Sequence, residues 1–176
     1  MKCVMAAVIY KLGDDISTDI IYPGRYMATV LPAETPQFAF ADIKELNSKL
    51  NSKYVPSGSI IVAGKNFGCG SSREQAVSTL KAYEIVVIAR NFARIFLQNS
   101  VNLGLQIIIC PEIEANEGDD LEITTAKVIN KTNGKSFRIE PMPKSRQAII
   151  DAGGLIAYTR KRVLEKQTHN SRPTAN

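Results

Sequence analysis

Short β-branched runs alternate with amphipathic stretches through the middle of this chain. Residues 59–63, 85–89 and 106–110 are brief and almost continuously apolar, the pattern of strands buried on both faces. Between them, residues 74–83 place Ala76, Leu80 and Tyr83 at helical spacing. Residues 92–102 form a second helical stretch, with Asn91 placed to cap it and Gly104 to end it. Strand, helix, strand, helix, strand predicts a parallel β-α-β portion.

The flanks read differently. Residues 3–12 are rich in Val, Ile and Ala and predict a buried strand. A leader peptide is the poorer reading, because the apolar run is short and leads into Lys11 and Asp14-Asp15. Residues 13–19 form a polar turn segment, Ile20-Ile21-Tyr22 a brief apolar return stopped by Pro23-Gly24, and residues 25–32 a loop. Residues 35–46 have helical spacing, with Phe38, Ala41 and Leu46 inward; residues 49–58 are a polar connector broken by Pro56. Beyond Pro111, residues 121–124, 127–129 and 136–139 alternate as short strands, the last two joined by an Asn133-Gly134 hairpin turn. Residues 144–151 predict a helix stopped by Gly153-Gly154, and 155–163 a last short helix. The fold class is therefore α/β, a mixed sheet with a parallel β-α-β portion and a C-terminal hairpin. One domain is expected over residues 1–163, with a basic tail over 164–176 that is expected to be disordered.

Composition narrows the chemistry. A chain of 176 residues with 44% hydrophobic residues buries one core, and no apolar run approaches a membrane span. Cys3, Cys69 and Cys110 are widely spaced and form no C-x-x-C pair, zinc pattern or iron–sulfur ligand set, which points to a reducing cytoplasm and to no metal bound by this chain. The only histidine, His169, lies in the polar tail, so a Ser-His-Asp triad, a Cys-His pair or a histidine metal site is not expected. The net charge of +5 is mostly in the tail: residues 160–176 hold five of the 22 Lys/Arg and one of the 17 Asp/Glu. Arg160-Lys161-Arg162 reads as a solvated helix end rather than as a nucleic-acid surface.

The candidate chemistry lies in Lys65-Asn66-Phe67-Gly68-Cys69-Gly70-Ser71-Ser72-Arg73-Glu74, a loop between a strand and a helix. Gly64, Gly68 and Gly70 permit positive φ and close approach of a ligand. Ser71 with Glu74 spells a capping box, and the helix start that follows would present N–H groups to an anion. Arg73 adds a cation with the fork geometry of a carboxylate partner. The loop suits a small carboxylate or phosphate beside Ser71 and Ser72, although glycines and capping boxes also start helices that bind nothing. It is neither the dinucleotide fingerprint nor a P-loop.

This stretch, continued through Ala89-Arg90-Asn91-Phe92-Ala93-Arg94-Ile95-Phe96, resembles the swivelling domain of the aconitase superfamily. Gly13-Asp14-Asp15-Ile16-Ser17-Thr18-Asp19-Ile20-Ile21 resembles the opening motif of the same domain. The length and the ending Ala152-Gly153-Gly154-Leu155-Ile156 resemble the free-standing small subunits of the 3-isopropylmalate dehydratase family. Gln75 departs from the pattern, where many relatives have His. The resemblance implies a β/β/α swivelling fold and a large subunit that carries a 4Fe–4S cluster on its own cysteines, with one iron open to substrate. It implies a hydro-lyase that isomerises 2- and 3-isopropylmalate by removing and re-adding water, in leucine biosynthesis. Within that reading Ser71 is the base and Asp19 a second catalytic residue. Arg73, Ser72 and Gly70 hold the substrate's carboxylate, and Tyr26, Met27, Ala28 and Thr29 face its variable group. Homoaconitase-like members carry an arginine at the place of Ala28, so a small apolar side group is expected here. Homoaconitase, methylmalate or dimethylmalate dehydratases, a non-catalytic anion- or nucleotide-binding module and an RNA-binding tail are the other readings.

Overall fold

The computed structural model describes residues 4–29, 33–52 and 54–170. Cys3, residues 30–32 of the loop, Lys53 and residues 171–176 of the tail lie outside the described residues, as do the side chains of Val4, His169 and Asn170. The strands are β1 (Val4–Lys11), β2 (Ile60–Ala63), β3 (Val86–Ala89), β4 (Ile107–Ile109), β5 (Asp120–Ile123), β6 (Lys127–Asn130) and β7 (Ser136–Arg138). They form one sheet in the order β4-β3-β2-β1-β5-β6-β7. Strands β1 to β4 run parallel, and β5 to β7 form an antiparallel meander on the other side of β1. The two edges meet at an antiparallel bridge between Ile109 and Glu140, whose N–H donates to the Ile109 carbonyl at 2.8 Å. The sheet thus curls into a half-barrel.

The curl gives the central strands two apolar faces. In β2, Ile60 and Val62 point into the half-barrel beside Leu121, Val128 and Phe137. Ile61 and Ala63 point outward, beneath the helices, with Leu46, Leu80 and Phe96. A strand buried on both sides has no polar position, and this is the physical origin of the continuous apolar runs. The helical layer comprises α1 (Thr18–Ile21), α2 (Lys44–Asn51), α3 (Glu74–Ala82) and α4 (Arg94–Leu103), followed by α5 (Lys144–Asp151) and α6 (Leu155–Asn170).

The parallel portion, the Asn133-Gly134 turn and the helix over 144–151 follow the sequence pattern. The first half departs from it. Strand β1 is paired on both sides, yet Met5 is 68% exposed, so its start is not buried. The helix expected over 35–46 is replaced by a 3-10 turn at Pro36–Phe38 and then α2. Between them Phe40 takes a left-handed backbone (φ 51°) and its N–H donates to the Ile21 carbonyl at 2.8 Å. That turn sends Phe40 and Ala39 to full burial, and core packing overrides helical spacing. The apolar return at residues 20–22 closes the short helix α1, capped by Ser17, whose Oγ accepts from the Ile20 N–H at 3.2 Å. At the other end α6 continues past Val163 to Asn170.

Candidate active site

The loop between β2 and α3 is held from both sides by backbone. On one side the Asp15 N–H donates to Lys65, Gly68 N–H to Ile16 and Thr18 N–H to Cys69, at 2.7 to 2.8 Å. On the other, Phe67 N–H donates to Asn91 and Ala93 N–H to Phe67, at 3.2 and 2.9 Å. Side chains reinforce the straps: Asn91 Oδ1 accepts from the Asn66 N–H at 2.6 Å, and Asn66 Nδ2 donates to Asp15 Oδ1 at 2.8 Å. Residues 13–21, 64–74 and 89–96 are therefore assembled at the carboxyl ends of β1, β2 and β3. In α/β sheets that end is where ligands bind.

Three local expectations are corrected. Ser71 does not cap α3; Arg73 is the flanking residue, and no side chain caps the helix. The loop stays extended through Arg73 (φ −66°, ψ 110°), so the helix begins too late for Ser71 to reach it, and the hydroxyl stays out of a structural role. Asn91 does not cap α4 either, because its carboxamide is spent on Asn66 and the helix begins at Arg94. Gly68 and Gly70 do adopt positive φ (80° and 96°), but Gly64 does not; its missing Cβ makes room for Asp14, whose Oδ1 would lie 1.9 Å from such an atom.

Ser71 is exposed, and its Oγ lies 3.5 Å from Thr18 Oγ1. Arg73 is only 19% exposed and is ion-paired through Nη1 with Asp19 Oδ1, while Nη1 also donates to the Tyr22 carbonyl at 3.3 Å. The Arg73 guanidinium holds the Asp19 carboxyl below its ordinary range, helped by the Gly24 N–H that donates to Oδ1 at 3.3 Å. Ser72 is fixed through its carbonyl, which accepts from Asn99 Nδ2 on α4 at 3.3 Å. A surface depression of about 550 Å³ is lined by Met27, Ser71, Ser72, Arg73, Gln75 and Ser78, among others.

Of the four residues expected to face a substrate side group, Met27 lines this depression. Tyr26 instead stacks on Phe38 with centroids 4.1 Å apart. Ala28 is exposed beside Met27, and the Thr29 N–H closes a turn onto the Tyr26 carbonyl. Arg25, three residues from Ala28, is turned to Asp42 in a two-pronged pair (3.1 and 2.5 Å) over the Tyr26 ring. Thr18 also belongs to this cluster through its hydroxyl, and a threonine beside an aspartate carries no local sign of which neighbour that hydroxyl meets.

No group of three or more His, Cys, Asp or Glu among the described residues is placed to hold a metal ion. Cys110 lies in the half-barrel, where burial pushes its thiol up to about 11, and Cys69 donates to the Asp15 carbonyl at 3.5 Å.

The aconitase C-terminal domain family matches residues 30–112. The 3-isopropylmalate dehydratase small subunit of Thermodesulfovibrio yellowstonii is 46% identical over 160 residues, covering 88% of this chain and 93% of its own. That of Methanosarcina mazei is 41% identical over 161 residues, covering 89% and 97%. The isopropylmalate/citramalate isomerase small subunit of Methanocaldococcus jannaschii is 40% identical over 172 residues, covering 95% and 100%. A crystal structure of 3-isopropylmalate dehydratase from Methanocaldococcus jannaschii superimposes with a TM-score of 0.85 at 38% identity, over 95% of this chain and 99% of that one. The motifs strapped around Ser71 and the near-complete coverage agree: this chain belongs to the 3-isopropylmalate dehydratase small-subunit family of the aconitase superfamily.

Proposed function

We propose that this chain is the small subunit of a 3-isopropylmalate dehydratase and brings the proton-transfer and carboxylate-binding half of the site to a large subunit. The observation that carries this reading is an exposed serine that caps no helix beside a partly buried arginine, on a loop strapped from two sides. Arg73 offers its guanidinium to a substrate carboxylate, with Asp19 and the Tyr22 carbonyl fixing its position. Ser71, as its alkoxide, takes the carbon-bound proton and becomes a neutral hydroxyl; on rehydration it returns that proton to carbon. A serine is a poor base in water, so the alkoxide needs the nearby Arg73 cation, in a site shielded from water. The Lewis acid for the departing hydroxyl belongs, on this reading, to an iron–sulfur cluster on the large subunit.

Met27 and Ala28 favour a small apolar side group on the substrate, since a second carboxylate set against them without a partner would cost several kcal/mol. The relative whose name pairs isopropylmalate with citramalate supports a methyl-bearing substrate as a second reading. The test is anaerobic reconstitution with the large subunit, followed by turnover of 3-isopropylmalate, citramalate and homoaconitate. The first or second should turn over well and the third poorly. Ser71→Ala should lower kcat at least ~100-fold with assembly intact. Near-normal kcat in that variant would remove Ser71 from the chemistry, and preference for homoaconitate would overturn the side-group reading.

A further inference from the structure

Thr18 is 1% exposed and lies directly beneath an exposed serine. A threonine inside a helix usually turns its hydroxyl back to a carbonyl of its own helix. Thr18 opens α1, so no preceding turn is there to receive it. Among the described residues its Oγ1 meets Ser71 Oγ, at 3.5 Å. The position is set by backbone rather than by chance: Thr18 N–H donates to the Cys69 carbonyl at 2.7 Å, two residues before Ser71. Between them Gly70 turns at φ 96°, where a Cβ would lie 3.4 Å from Thr18 Oγ1. The hydroxyl thus sits in a closed space between α1 and the loop, and faces the oxygen that the proposed reaction uses.

We propose that Thr18 is a positioning residue for Ser71, donating its hydroxyl hydrogen to Ser71 Oγ and holding that oxygen in place when it carries negative charge. Thr18 keeps its own proton throughout; no proton changes owner between the two. The inference rests on Ser71 being the base. The separation of 3.5 Å is long for two hydroxyls, and such contacts shorten when the acceptor becomes an anion in the assembled site. A donor that strengthens only then acts on the chemical step and leaves substrate binding alone.

The test uses the complex of the full chain with its large subunit, in wild type, Thr18→Val, Thr18→Ser and Ser71→Ala. Thr18→Val keeps the shape and removes the donor; Thr18→Ser keeps the donor. Thr18→Val should lower kcat by about ten- to a hundredfold, the worth of one hydrogen bond to a charged group, with KM nearly unchanged. The acidic limb of its kcat–pH profile should move to higher pH. Thr18→Ser should restore both. In the Ser71→Ala background, Thr18→Val should cause no further loss. If Thr18→Val fails to assemble, Thr18→Ala, which adds no methyl beside Ser71, takes its place under the same expectations. An unchanged profile, or equal damage from Thr18→Ser and Thr18→Val, overturns the role of Thr18 while Ser71→Ala stays inactive. Normal turnover by Ser71→Ala overturns the reading of the base itself.

Discussion

Arg73 is anchored before any ligand carboxylate is considered. Its guanidinium is shared by Asp19 and the Tyr22 carbonyl, and Asp19 remains 61% exposed. The Arg73 pairing lowers the Asp19 pKa in the folded chain from an ordinary 3.8. A lowered folded pKa gives stability that is fully present above the unfolded value and is lost as pH falls through the folded one. Wild type should therefore lose more melting temperature between pH 7 and pH 3 than Asp19→Asn does. Thermal melts of the isolated chain at the two pH values check this, and equal losses would mean that the pair adds no folding stability. Exposure makes the effect small, because solvent screens the pair.

At the scale of elements, the loop is shaped by what lies beneath it. Phe67 packs edge-on against Phe92 and Phe96, with centroids 5.9 and 5.2 Å away. Gly68 runs across Phe96 so closely that a Cβ would lie 2.1 Å from the ring, and its φ of 80° is one that L side chains rarely adopt. Gly68→Ala combines backbone strain with a collision against a buried ring, and should cost at least about 2 kcal/mol. Gly118→Ala is the control: φ is 86°, but nothing lies within 4 Å of the added atom. Melting temperatures of the two variants should separate by several degrees, Gly68→Ala being the lower. If the two fall together, packing under the loop does not constrain it.

At the scale of the whole molecule, the half-barrel and its helical layer hold the core, while α6 stands largely outside it. Ile156 is 79% exposed, Val163 49% and Leu164 56%, while Gly154, just before the helix, is buried and Tyr158 in its first turn is half-buried. No helix among the described residues is long and apolar enough to cross a membrane. Removing residues 161–176 should therefore shift the melting temperature of the chain by no more than about 2 °C, the scale of surface changes. Turnover of the reconstituted complex, measured alongside, asks whether this basic segment takes part in assembly. A large drop in melting temperature would show that α6 stabilises the core.

The sequence by itself determined the parallel core and the place of the glycine–serine loop between β2 and α3. Runs such as Ile60–Ala63 are short and apolar on both faces, and Glu74–Ala82 repeats at helical spacing; these are local signals that tertiary packing did not need to change. The serine–arginine motif is legible because glycines, serines and an arginine fall together between a strand and a helix. Tertiary structure alone decided the rest. Only the fold breaks residues 35–46 at Phe40, because burying that ring outweighs the helical spacing of its neighbours. Only the fold frees Ser71 from a capping box that its sequence spells correctly, since the late start of α3 depends on straps from residues 13–18 and 91–93. The pairing of Thr18 with Ser71 spans 53 residues of chain, and no local pattern encodes which buried hydroxyl will meet which exposed one.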